Sequence, residues 1–406
     1  MRILLSAIYP YIFLLLYLTI PFDDYVRAMP NIILMTLVVV FPFVVRKSDF
    51  KKLRSFPFVM YFVFALFLLL NSFVFHDFIE DFSITGKVLI ALGMAVLYIP
   101  VNDIDKIKGA IIFSSLMAIT YSVYHFVLIT HDMGYFALGD SPQVVESLLI
   151  DRMYLGMLSV LSVLISYEGI KKTYHPNNNY HLANIAINIA FVLLIGSKIS
   201  LLALLVLFVV RQCYGKKKVW KGFLAVVAGV AIVGLFVVVK NQDSDYFRTE
   251  KTPKVASGFI NHSLTYELRA TVWECAAQVA GNEKSFWSGI GFKNTEDKLV
   301  TCYSETITNP KKRDDFIGNR YNTHNQFLGI YLGAGIIGLV LFVIFIGGGI
   351  YAVRKNYFPT AMLVLLVVYC LFENVFHRQI GAYYVGAIML MGFMALGNNA
   401  HGKDDE

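Results

Sequence analysis

His324 stands in the run Arg320-Tyr-Asn-Thr-His-Asn-Gln-Phe-Leu-Gly-Ile-Tyr-Leu-Gly-Ala-Gly-Ile-Ile-Gly338, which begins polar and continues as an apolar helix. A neutral imidazole can take the proton of a hydroxyl nucleophile, and histidine's ordinary pKa lies near neutrality. A histidine at such a junction can equally be a plain hydrogen-bonded interface group, so its position leaves both readings open. Asn322 and Asn325 flank it. Five cations fall in segments expected on the same side: Arg269, Lys198, Arg152, Arg320 and Arg378. Guanidinium forks and ammonium point charges suit phosphate oxygens, and a leaving group with two phosphates needs them where its charge develops. The alternative for each is a local acid. Arg378 has Glu373 across a short loop, and Arg152 and Arg320 also favour local pairing. Neither an HExxH nor an EF-hand pattern occurs, and no metal or other cofactor is expected. Gly289-Ile-Gly291 reads as a tight turn.

These residues need a frame, and the composition says which kind. The 406 residues are 57% hydrophobic and only 16% charged, whereas soluble domains carry about 25% charged residues. Apolar runs recur at roughly the 17–25 residues that cross a bilayer. The expected fold is an all-α polytopic membrane protein of twelve spans. These are Leu4–Ile20, Ala28–Val45, Phe56–Phe75, Thr85–Tyr98, Ile107–Thr130, Leu149–Tyr167, Leu182–Ile195, Ile199–Val210, Trp220–Val239, Asn325–Tyr351, Thr360–Leu371 and Ala382–Leu396. The first run has no small-residue cleavage site and reads as a retained span. With the N-terminus inside, eighteen Lys and Arg fall in inside segments against five in short outside loops, which puts both termini in the cytoplasm. The net charge of +7 is therefore a matter of topology and does not point to nucleic acid.

The domain division expected is 1–240 for spans one to nine, 241–321 for a large external loop, 322–398 for the last three spans, and 399–406 for a cytoplasmic tail. Spans seven and eight share about thirty residues between basic clusters that both want the cytoplasm, which implies a hairpin with arms of about 14 residues. Its turn, Gly196-Ser197-Lys198, would then lie recessed and put a cation inside an outward-open cavity. In the loop the strongest helical stretch is Leu264–Ala280, with Ser263 as N-cap and Gly281 as stop. It places Arg269 and Trp273 on one face. After the Phe286–Phe292 turn the chain reads as an irregular, charge-rich arm. Cys275 and Cys302 share the loop and can pair if that compartment is oxidising. Gly329 and Gly333 suit close helix packing, and Gly347–Gly349 a kink.

Four pieces in order carry a resemblance: Glu267-Leu-Arg-Ala-Thr-Val-Trp273, Trp287-Ser-Gly-Ile-Gly291, Asn322-Thr-His-Asn-Gln-Phe-Leu328 and Leu332-Gly-Ala-Gly-Ile-Ile-Gly-Leu339. Together they resemble the O-antigen ligase and O-antigen polymerase superfamily over about Leu182 to Phe342. The resemblance implies a GT-C type glycosyltransferase of the bacterial inner membrane. Its donor would be a glycan on a polyprenyl (undecaprenyl) diphosphate, used on the periplasmic face without a metal. The acceptor would be a lipid A core sugar, or another lipid-linked glycan in a polymerase. The family's loop Arg corresponds to Arg269 and its His to His324. Where the family has Ser-Arg at the start of the eighth span, this chain has Ser197-Lys198, which keeps the charge and loses the fork. A transporter is the rival from another class. It would place ionisable groups near the bilayer midplane, whereas most charges here lie at span ends.

Overall fold

The structure, a computed structural model, describes residues 2–26, 28–101, 104–133, 148–171, 173, 175–214, 265–282 and 286–399. The expected ninth span, Ser263 and most of the 399–406 tail lie outside the described residues. Every regular element among the described residues is helical. In order these are α1 (Arg2–Thr19), α2 (Met29–Val44), α3 (Phe56–Phe75), α4 (Phe78–Leu97), α5 (Ile104–Met133), α6 (Arg152–Gly169), α7 (Pro176–Leu194) and α8 (Lys198–Gln212). Then come α9 (Thr265–Asn282), α10 (Phe292–Thr306), α11 (Pro310–Asn319), α12 (Gln326–Val353), α13 (Tyr357–Phe372) and α14 (Gln379–Asn399), with short 3-10 turns between some of them.

Among the described residues, four stretches are long and apolar enough to cross a bilayer: Ile3–Phe22, Phe56–Phe75, Ile104–Asp132 and Gln326–Val353. A fifth arises if Met29–Val44 and Lys47–Arg54 count as one span across their 117° bend. The chain is a polytopic membrane protein. Its principal packing pairs are α3 with α12, α6 with α7, and α14 with α4. Between α5, α6 and α7 the buried link is polar. Ser115 donates to Asn188 (2.6 Å), and Asn184 donates to Ser162 (2.9 Å) and Ser166 (2.7 Å). Such bonds hold helices together where lipid offers no hydrophobic drive.

Helix starts explain where the elements outrun the sequence expectation. Asp77 caps α4 by accepting from Ile79 N (2.9 Å) and Glu80 N (3.2 Å), so α4 begins seven residues before Thr85. The arms of the α7–α8 hairpin are 19 and 15 residues, not 14 each. The polar run after Pro176 is helical, with Pro in the first turn and His175 accepting from Asn177 N. At 1.5 Å per residue α7 is about 28 Å long, enough for a full crossing. Lys198 begins α8 and is exposed. The hairpin turn itself is as expected, with Gly196 at φ 60°.

The charge-rich arm is not irregular: it folds as α10 and α11. The signal for α11 was Asn309-Pro310, a capping residue before a first-turn proline, and Asn309 Oδ1 accepts from Lys312 N. For α10 the cap comes from elsewhere in the chain. Gly291 at its N-cap has no side chain, and Asp81 of α4 supplies the acceptor for Lys293 N (3.0 Å). Helix α9 runs through Gly281 to Asn282. It joins α10 by the Cys275–Cys302 disulfide, and the two close around a small core that includes Val272, Leu299, Tyr303 and Phe316.

One joint fixes this lobe to the bundle. Helix α12 is broken at Gly335, whose φ 71° and ψ −173° are non-helical. The turn Phe286–Gly291 fills the break. Ile290 N donates to Leu332 O (2.8 Å), Gly291 N to Gly333 O (3.0 Å), and Ile336 N to Phe286 O (2.9 Å). Backbone groups freed by the break thus find partners in the turn, as buried amides must. The tight turn and the glycine-rich helix are two halves of one joint. The bend expected at Gly347–Gly349 is absent, because nothing there interrupts the helical dihedrals.

Candidate active site

The site is assembled by five consecutive residues, each with its own bond. Asn322 Oδ1 accepts from His324 N (2.9 Å) and holds His324 at φ 43°, a left-handed conformation uncommon outside glycine. Thr323 Oγ1 donates to Asn325 O (2.9 Å). Asn325 caps α12 by accepting from Leu328 N (3.0 Å). Gln326 Oε1 accepts from Phe376 N (3.0 Å). The ring of His324 turns toward the end of α13, where Nδ1 lies 3.1 Å from Glu373 Oε2. Both side chains are mostly buried, at 18% and 12% exposure.

Glu373 and Asn374 act together. Asn374 Oδ1 accepts from Asn325 N (2.9 Å) and bonds Thr323, so the turn after α13 grips the backbone around His324 while Glu373 grips its ring. Burial alone would raise the Glu373 carboxyl. The His324 hydrogen bond and charge, with Arg269 and His377, outweigh it and hold the group below its ordinary value. An ionised carboxylate only accepts, so Nδ1 carries the proton and the lone pair of a neutral ring sits on Nε2. Nε2 is buried and has no hydrogen-bond partner among the described residues. The ring is oriented through Nδ1, which leaves the Nε2 lone pair unengaged.

Arg269, on α9, reaches the same corner. Its Nε donates to Phe372 O (3.3 Å) at the C-terminus of α13, and the guanidinium lies 6.0 Å above the Phe372 ring. Burial lowers its pKa, Glu373 opposes that and Arg152 adds to it, so Glu373 and Arg152 are both close. An arginine nonetheless stays charged. Trp273, one turn along α9, donates from Nε1 to Thr323 O (3.0 Å) and keys α9 to the His324 turn. Beside it an open groove of about 510 Å³ is lined by Trp273, Asn325, Phe327, Leu328, Tyr331 and Leu339.

The other expected cations divide. Arg378 pairs with Asp151 (3.4 Å), not with Glu373, whose carboxylate is taken by His324. Asp151 also caps α6 just before Arg152, and the Arg152 charge acts on Arg269, so the Arg378–Asp151 pair lies beside Arg152. Arg320 instead caps α11 and pairs with Glu296 and Asp297 of α10, which raises its pKa. Lys198 starts α8 beside Ser197, and Ser200 Oγ lies 2.8 Å from Tyr369 OH, one turn before Glu373 on α13. Sequence reasoning missed the role of Glu373. The available signal was a carboxylate-amide pair cutting the apolar run Cys370-Leu-Phe-Glu-Asn-Val-Phe376.

His377 adds a titration of its own. Burial, aided by the Lys87 ammonium and only partly offset by Glu373 and Glu296, pushes it down to about 4. The unfolded chain takes up that proton near 6.5 and the folded protein only near 4, so stability falls as pH drops through this window. Glu373, with its lowered pKa, continues the loss below about 4.5, its ordinary value. In detergent, the melting temperature of the wild type is expected to decline from pH 6.5 to 4, and His377→Asn to flatten that decline. An unchanged slope in the variant would assign the titration to other groups.

Comparison with known proteins agrees with the motifs. No curated protein matches the chain. Residues 183–343 match the O-antigen ligase family, a range that includes Lys198, Arg269, Trp273 and His324 and ends before Glu373. Residues 183–343 are thus similar to the O-antigen ligase family, which supports the resemblance of that segment to the O-antigen ligase and O-antigen polymerase superfamily.

Proposed function

We propose that this glycosyltransferase-like enzyme moves a glycan from a polyprenyl diphosphate carrier to a sugar hydroxyl, with inversion and without a metal. The observation that carries the reading is the His324 ring, oriented by Glu373 through Nδ1, with a buried Nε2 that has no partner among the described residues and with the Arg269 charge acting on the same carboxylate. The acceptor hydroxyl gives its proton to Nε2 as its oxygen attacks the anomeric carbon. The bond from that carbon to the phosphate oxygen breaks, and the diphosphate leaves. Its charge falls to Arg269 and Lys198, with Arg152 and Arg378 at the border. The carrier's isoprenoid tail lies along the groove beside Trp273 and Phe327.

In this reading twelve spans cross the inner membrane, both termini are cytoplasmic, and the site faces the periplasm. The acceptor is a lipid A core sugar. The preference for ligase over polymerase rests on a single dominant lobe directly before His324. The test is transfer by the purified protein from an undecaprenyl-diphosphate-linked glycan, offered lipid A core in one arm and only further donor in the other. The ligase reading expects product in the first arm. Product in the second arm alone makes the chain a polymerase, and product in neither removes the enzymatic reading.

A further inference from the structure

Ser197 occupies the N-cap of α8, where a serine ordinarily accepts a hydrogen bond from the first-turn backbone. Here it makes no such bond. Its Oγ lies 2.6 Å from Ser200 Oγ, which in turn lies 2.8 Å from Tyr369 OH. All three residues are buried. The hydroxyls therefore form a chain from the start of α8 into α13 in place of a local cap. Tyr369 O accepts from Glu373 N (2.8 Å), so the phenol sits on the turn that delivers Glu373. A third helix leaves room for the chain. A Cβ on Gly156 of α6 would stand 1.9 Å from Ser200 Oγ and 2.9 Å from Ser197 Oγ, so no other residue fits there without displacing both.

We propose that Ser200 and Tyr369, in the space Gly156 leaves, are positioning residues that register the Lys198 end of α8 against the Glu373 end of α13. Neither side chain bonds His324, Glu373 or Arg269. Their effect passes through where Lys198 stands relative to the carboxylate and imidazole. A lysine has no planar fork to fix its own geometry on a diphosphate. A chain that uses Lys at this place depends more on how the start of its helix is held. The inference rests on the diphosphate role proposed above for Lys198.

The test is binding of undecaprenyl diphosphate, without glycan, to the purified full-length protein in detergent. Tyr369→Phe and Ser200→Ala remove one hydroxyl each and are expected to weaken binding roughly 5–30-fold while melting close to the wild type. In a Lys198→Ala background, Tyr369→Phe is expected to add less than about a twofold change, because the group it positions is gone. A purely structural role would cost the same factor in both backgrounds, and that result overturns the proposal. So does wild-type affinity in Tyr369→Phe or in Lys198→Ala. If the wild type shows no saturable binding, the diphosphate reading itself fails, which is a separate outcome.

Discussion

His324→Ala is expected to insert and fold like the wild type and to lose transfer by roughly 10²–10⁴-fold, the usual contribution of a positioned general base. Among the described residues the ring bonds Glu373 alone, and its backbone is held by Asn322 and by neighbours in the same turn. Truncation therefore leaves the grip of Asn374 on Asn325 and Thr323 intact. Glu373→Gln separates orientation from charge. A glutamine still offers a carbonyl to Nδ1 but cannot stabilise the imidazolium formed when Nε2 takes the proton. Its rate should fall between the wild type and His324→Ala. Initial rates with purified protein and an undecaprenyl-diphosphate-linked glycan decide the matter. Wild-type turnover in His324→Ala removes the histidine from the chemistry. Full activity in Glu373→Gln limits the carboxylate to holding the ring.

Gly335→Ala is expected to be strongly destabilising, costing about 3–5 kcal/mol. The dihedrals at this residue belong to a region essentially reserved for glycine. Its Cβ would stand 2.2 Å from Trp287 O and 2.6 Å from Gly289 N, both backbone atoms of the turn that fills the break. Relief requires the turn to withdraw, which strands the carbonyls of Leu332 and Gly333 and the amide of Ile336. Since α12 carries the His324 turn at its N-terminus, the site should loosen with the joint, and activity should be lost alongside stability. Gly347→Ala is the control. Its Cβ meets nothing within 4 Å in a regular helix, so the change should be neutral or stabilising by up to about 1 kcal/mol. Thermal melts in detergent compare the two. A Gly335→Ala protein that melts like the wild type would show that the joint does not hold the lobe.

The parts legible in the sequence were those with short-range signals. Apolar runs located the bundle helices to within a few residues, except where caps such as Asp77 and His175 drew helix from polar sequence. The polar-to-apolar junction marked the start of α12, and the stretch Leu264–Ala280 anticipated α9. What escaped needs partners far apart in the chain. Glu373 is 49 residues from His324, with no spacing rule to connect them. The break at Gly335 looked like packing glycine because its filler lies in a different motif. Helix α10 hid among charges because its cap is Asp81, 212 residues earlier. The local pairing favoured for Arg320 is found, but its partners Glu296 and Asp297 lie on α10, in the stretch that reads from sequence as an irregular arm.

The contacts that α3 and α4 make to the lobe also set a schedule for synthesis. Asn71 donates to Ser288 O (2.9 Å), His76 bonds the same carbonyl (3.0 Å), and Asp81 waits for Lys293 N. A ribosome adding roughly 5–20 residues per second needs about 10–40 s to make the 217 residues between Asn71 and Ser288. Throughout that interval an amide, an imidazole and a carboxylate lack their final partners at the edge of a newly inserted helical pair. The half-made protein therefore carries polar groups without their final partners where α3 meets α4, a cost that lasts until the turn arrives. Docking of the turn satisfies them, so the order of synthesis makes the early α3–α4 pair wait on the same joint that carries the His324 turn.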